Sequence, residues 1–156
     1  MKKLLVILVS VLSLNIEAAE FNLQEIKDEF TDQRIATMLT IMNDAMLGAV
    51  AFRCDDMMFA LTLAQPGFYK TGETVEVKFR FDSKNMFSEE LILLKSQHVI
   101  SMDKVFIIKI LEEFKNSEKA IIKIATEATF KFSQYSGIAP VIDEFIVRSK
   151  ENSCIN

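Results

Sequence analysis

The chain has no tryptophan, one histidine, two cysteines, two prolines and four glycines in 156 residues. Each scarcity excludes something. With His98 as its single imidazole, the chain lacks the usual parts of a histidine-rich metal centre. No Gly-x-Ser-x-Gly elbow accompanies that histidine, so no nucleophile is marked out for it. The two cysteines are too far apart for a Cys-x-x-Cys redox pair. Few prolines and glycines, with no repeat and no low-complexity linker, point to one compact domain. There is no block of like basic charge, and the formal net charge is −4, which disfavours a nucleic-acid partner. After the N-terminus no second long apolar run occurs, so no further membrane-spanning helix is expected.

What is present begins with "MKKLLVILVSVLSLNIEAAEFN". Lys2 and Lys3 form a positive start, residues 4–14 an apolar stretch, and Ala18 and Ala19 a pair of small residues. That order predicts a secretory signal peptide over residues 1–19, cut after Ala18 or Ala19. No cysteine sits just behind the cut, so a lipoprotein is not expected. The mature chain would be a single domain over residues 20–156, with a formal charge of −5 once Lys2, Lys3 and Glu17 are gone. The expected location is the bacterial periplasm or the medium.

An oxidising compartment and two cysteines predict a Cys54–Cys154 disulfide. Its loop of about 100 residues corresponds to up to ~4.7 kcal/mol in the chain-entropy model. The bond would staple a C-terminal segment to the end of the run "VAFRC".

Strand signals dominate. "TVEVKFRFD", residues 74–82, alternates Val75, Val77, Phe79 and Phe81 with Glu76, Lys78, Arg80 and Asp82, a period of two. "RIATMLTIM", "GAVAFRC", "MMFALTL", "ELILLKS", "KAIIKIAT" and "ATFKFSQYSG" read as further strands, and "FNLQEIKDEFTD" as an edge strand and polar turn. Two helices are expected. "SMDKVFIIKILEEFKNS" has Ser101 or Asp103 as N-cap and an apolar stripe through Val105, Ile108 and Leu111, weakly joined by Ile107 and Phe114. "SGIAPVIDEFIVRSKENSC" has a stripe of Ile138, Val141, Ile142, Phe145 and Ile146. The predicted fold is mainly β: a β-sandwich of about seven to nine antiparallel strands with two short helices, the second C-terminal and disulfide-pinned.

Candidate sites are sparse. His98 in "KSQHVIS" reads as a surface or turn residue. The pairs Asp55-Asp56, Glu89-Glu90 and Glu112-Glu113 read as solvated surface, since adjacent strand residues face opposite ways. Arg80 and Asp82, two apart on one strand face, are candidates for an ion pair or a polar binding face. Phe68 and Tyr69 in "QPGFYK" are aromatic loop residues able to anchor a partner. No catalytic residue, metal ligand or cofactor is assigned.

The order of these pieces resembles the VasI-like family of exported proteins associated with type VI secretion. More distantly it resembles the invasion-associated locus B family of secreted β-sandwich proteins. The residues that carry the likeness are "DEFTD", "VAFRC", "VKFRFD", the Phe-rich helical stretch, "ATFKFSQYSG" and a terminal helix ending in cysteine. The chain departs from the VasI-like pattern in having Phe21 where a tryptophan often opens the domain, and Asp55-Asp56 where glycine turns are expected. The resemblance implies an exported, disulfide-bonded sandwich with an accessory or host-facing role, and no catalytic residues to carry over.

The expectation that follows is an exported, non-enzymatic interaction protein that binds an envelope or secreted protein partner. Two alternatives stand beside it. One is a phage or mobile-element envelope protein that blocks a host or competitor function; the other is a small hydrolase with a dispersed active site.

Overall fold

The computed structural model describes residues 20–27, 29–31, 34–45, 48–55, 59–64, 72–82, 84–93, 98–124, 128–133 and 137–155. The expected signal peptide lies outside the described residues. The described chain is mainly β, with nine strands and two helices. The strands are β1 (Phe21–Lys27), β2 (Arg34–Met42), β3 (Ala49–Asp55), β4 (Phe59–Ala64), β5 (Thr74–Phe81), β6 (Phe87–Leu93), β7 (His98–Ser101), β8 (Lys119–Ile124) and β9 (Ala128–Ser133). The helices are α1 (Lys104–Lys115), between β7 and β8, and α2 (Ile138–Glu151), after β9.

All nine strands join one antiparallel sheet in the order β1-β2-β3-β4-β7-β6-β5-β8-β9. The chain meanders from β1 to β4 and crosses to β5. It then returns through β6 and β7 to reach β4. Helix α1 carries it to the far side of β5, where β8 and β9 complete the sheet.

The sandwich character comes from this one sheet curling, not from two separate sheets. The turn after β2 docks on β9, the far edge: the Asp44 amide donates to the Lys131 carbonyl at 2.8 Å. The Asp44 carboxylate in turn accepts from the Ser133 amide and hydroxyl, each at 2.7 Å. In the same turn the Gly48 amide donates to Asn43 Oδ1 at 3.0 Å. Gly48 lies so close to the Phe130 ring that a Cβ there would overlap it. Only glycine allows that approach.

Period-two patterning sends one face of every strand inward. Leu39, Ile41, Val50, Phe52, Val77, Phe79, Phe81, Ile122, Ile124 and Phe132 are buried together. Two helices fill the space they leave. Asp103 caps α1, its Oδ1 accepting from the Val105 and Phe106 amides at 2.9 and 3.1 Å. The cap sets the phase, and α1 buries Phe106, Ile107, Ile110, Leu111 and Phe114. That corrects the expected stripe: Val105 is 79% exposed. The run "VFIIKIL" is apolar on nearly every side, so spacing alone does not choose a face. Phe114 meets Phe52, Phe81 and Phe132 edge-on, with ring centroids 6.4, 5.1 and 5.7 Å away. One ring thus contacts both halves of the curled sheet.

Helix α2 buries Ile138, Ile142 and Phe145 of its expected stripe, with Val141 and Ile146 half-buried against the core, and it also buries Ser149. Lys115 of α1 donates to Asp143 of α2 at 2.5 Å, and that bond raises the lysine above its ordinary pKa. The Arg148 guanidinium reaches Glu25 of β1 at 2.6 Å and also Glu144 of its own helix. Edge strand β1 is thereby tied to α2.

The Asp44–Ser133 contact and the Gly48–Phe130 approach together close the sheet. Gly48→Ala should therefore lower unfolding stability by about 1–3 kcal/mol, the cost typical of overpacking. Urea titration checks this; a variant as stable as the parent would show that β9 does not sit against this turn.

Candidate functional site

The Cys54–Cys154 disulfide is present as expected, its Cα atoms 5.9 Å apart. Both half-cystines are buried. The chain arrives at Cys154 through a tight helix end. Asn152 caps α2, and Ser153 takes a left-handed φ of 58°. The Ser153 amide then donates to the Lys150 carbonyl, and the Cys154 amide to the Ser149 carbonyl, both at 2.9 Å. This is the Schellman arrangement, which reverses the chain after the helix. It aims Cys154 at the end of β3. Beside the bond, Asn152 Nδ2 donates to Thr37 Oγ1 of β2 at 3.4 Å. A disulfide so enclosed is structural.

The other expected site residues fare unequally. Phe68 and Tyr69 lie outside the described residues. Arg80 points outward from β5 and is exposed, and its guanidinium makes no hydrogen bond or ion pair among the described residues. Asp82 does not share its face with Arg80, because β5 ends at Phe81 and Asp82 turns with φ 47°. Its Oδ1 accepts from the Glu118 and Lys119 amides at 3.0 and 2.9 Å. It therefore organises the entry to β8 and forms no pair with Arg80. His98 opens strand β7 opposite Ala64 and is not a turn residue.

The acidic pairs divide in the same way. Asp55 Oδ2 accepts from Arg53 Nε at 2.9 Å, and Glu113 from Lys84 at 2.6 Å. Glu89 and Glu90 remain exposed on β6, where with Glu76 and Ser88 they line an open depression of about 540 Å³. Among the described residues no group of three or more His, Cys, Asp or Glu is placed to hold a metal ion. None of the helices among these residues is long and apolar enough to cross a membrane.

The candidate functional surface is instead the outer face of the sheet, opposite the core. Cross-strand register runs one row across seven strands: Asn22, Thr40, Ala51, Thr62, Ile100, Ile92, Thr74. The row contains no charge. Ile92 in it is 50% exposed. Spacing within single strands cannot reveal such a row, since its members come from seven separate segments.

No protein-family model matches the chain, and no curated protein or solved structure matches it.

The contrast between Arg80 and Asp82 is testable. Asp82→Ala removes the acceptor for two amides and should cost about 1–3 kcal/mol of stability. Arg80→Ala, on an open surface, should stay within about 0.5 kcal/mol of the parent. Thermal unfolding of both variants decides it; equal effects would refute the assigned roles.

Proposed function

We propose that the chain is an exported, non-enzymatic binding protein of the bacterial cell envelope, working in the periplasm or outside the cell. The observation that carries this is the Cys54–Cys154 disulfide, joining residues 100 apart. Such bonds persist where the surroundings are oxidising. The N-terminal order of two lysines, an apolar stretch and paired alanines supports the same destination.

A binding role draws on the outer sheet face. Charged residues are depleted at the centre of protein interfaces, and the uncharged seven-strand row fits that chemistry. We take this row as the surface for an envelope or secreted protein partner. The likeness to VasI-like proteins extends the proposal to an accessory of a secretion system.

One experiment tests both parts. The chain is expressed from its own N-terminus, intact cells are alkylated and fractionated, and material bound to it is recovered. The expected protein is outside the cytoplasm, starts at Ala19 or Glu20, and has no alkylated cysteine. Thr62→Glu, which places a charge in the row, should lower partner recovery at least about tenfold, the effect of a central interface charge left unpaired. A cytoplasmic chain with residues 1–19 attached and two reactive thiols would contradict export. Unchanged recovery with Thr62→Glu would remove the row.

A further inference from the structure

The same outer face changes character at its far end. On β5, β8 and β9 the outward residues include Lys78, Arg80, Lys119, Lys123 and Lys131, and every one lies outside the core. Register brings them together. Lys78 stands directly opposite Lys123; Arg80 is opposite Ile121, and Ile121 is opposite Lys131. Lys119 begins the next outward row, opposite Ser133. Five of the chain's 18 basic residues therefore share three adjacent strands in a protein of net charge −4. With strands about 4.8 Å apart and same-face residues about 6.7 Å apart, the group covers roughly 10 by 13 Å.

This grouping is costly to the isolated fold. Like charges directly across a strand pair are destabilising, and Lys78 faces Lys123 in that way. Glu76 lies 3.2 Å from Lys78 and offsets part of that charge. Among the described residues no carboxylate forms an ion pair with Arg80, Lys119, Lys123 or Lys131. At the centre Ile121 is left 38% exposed.

We propose that the β5–β8–β9 face docks the protein on a membrane surface bearing anionic phospholipid headgroups. Three features choose that occupant. The face spreads its cations over three adjacent strands, and four of the five are lysines, which act as point charges and do not form the bidentate fork of arginine. Lysine is depleted at protein–protein interfaces, so the array does not match a protein partner. No aromatic residue stands among the five cations to stack a base, as a single-stranded nucleic-acid surface needs. Lysines spread around an exposed aliphatic side chain suit a charged lipid interface, where the stems lie on the apolar layer and the ammonium groups reach the phosphates. This inference stands apart from the export proposal, because lipid binding requires neither a protein partner nor a given compartment.

The test is co-sedimentation of the protein, purified from the compartment where it accumulates, with vesicles. One set is phosphatidylcholine alone and the other contains about one third phosphatidylglycerol. The protein should sediment with the anionic vesicles and not the neutral ones. Each basic residue near such a surface changes partitioning by about fivefold, so Lys123→Gln/Lys131→Gln should weaken it by roughly 30-fold. Raising salt to about 0.5 M should release the protein. Lys104→Gln/Lys150→Gln removes two exposed charges from the helices and should change binding by less than about twofold, since screening confines the attraction to the contacting face. The protein is used once its N-terminus is shown to be Ala19 or Glu20, because a retained segment with Lys2, Lys3 and apolar residues 4–14 would itself bind vesicles. Equal binding to neutral vesicles would overturn the proposal. So would an unchanged Lys123→Gln/Lys131→Gln variant, or tighter binding to an acidic polypeptide or a DNA oligonucleotide at the same salt.

Discussion

The fastening of α2 by Cys54–Cys154 is the constraint on which the covering of β1 and β2 depends. A sheet with a polar outer face must cover its apolar inner face. Helix α1 reaches both halves of the sheet through Phe114, but it leaves β1 and β2 to α2. That helix is the last of the described elements. The disulfide, the Arg148–Glu25 pair and the Asn152–Thr37 hydrogen bond hold it from three directions. Two of these are polar contacts of modest net worth. The covalent link is the one that does not fray.

Closing the sheet is the complementary requirement. A nine-stranded open sheet would present long edges, and edges invite pairing with other chains. Here the β9 edge is occupied by Asp44, whose backbone and side chain replace a neighbouring strand. At the other edge β1 carries Glu25 and Lys27, and Glu25 is bound to α2. With the inner face filled by helices and both edges managed, the outer face is what the fold leaves for other molecules. Its two ends differ in chemistry: an uncharged row crosses β1–β4, and lysines and an arginine gather on β5, β8 and β9. A protein surface at one end and a lipid surface at the other would let the domain hold a partner against a membrane.

The parts legible in the sequence were those with local causes. Alternation in β5 and β9 marks strands, and the pair Ser101 and Asp103 marks the helix start that Asp103 takes, because both signals lie within a few residues. The disulfide follows from two cysteines and an expected export signal. Strand β7 escaped notice because "HVIS" is four residues long and runs directly into the α1 cap. Asp82 continues the alternation of β5 in the sequence, yet Asp-Ser after a strand is turn chemistry and aspartate tolerates positive φ. The basic face was invisible for a different reason. Lys78, Lys123 and Lys131 lie on three strands, and only long-range pairing makes them neighbours. Sheet order and closure belong to the same class, since Gly48 and Asp44 are unremarkable until β9 is beside them.

Hydrogen exchange of the oxidised and the reduced protein, followed by mass spectrometry, measures the fastening directly. If the disulfide is what keeps α2 on the sheet, reduction should speed exchange throughout residues 138–151 and in β1 and β2. Amides of α1 and β5, which meet through Phe106, Phe79, Phe81 and Phe114, and of β8, which pairs with β5, should keep most of their protection. Unchanged protection of α2 after reduction would contradict this, and would mean that the packing of Ile142 and Phe145 with the Arg148–Glu25 and Asn152–Thr37 contacts suffices to hold the helix in place.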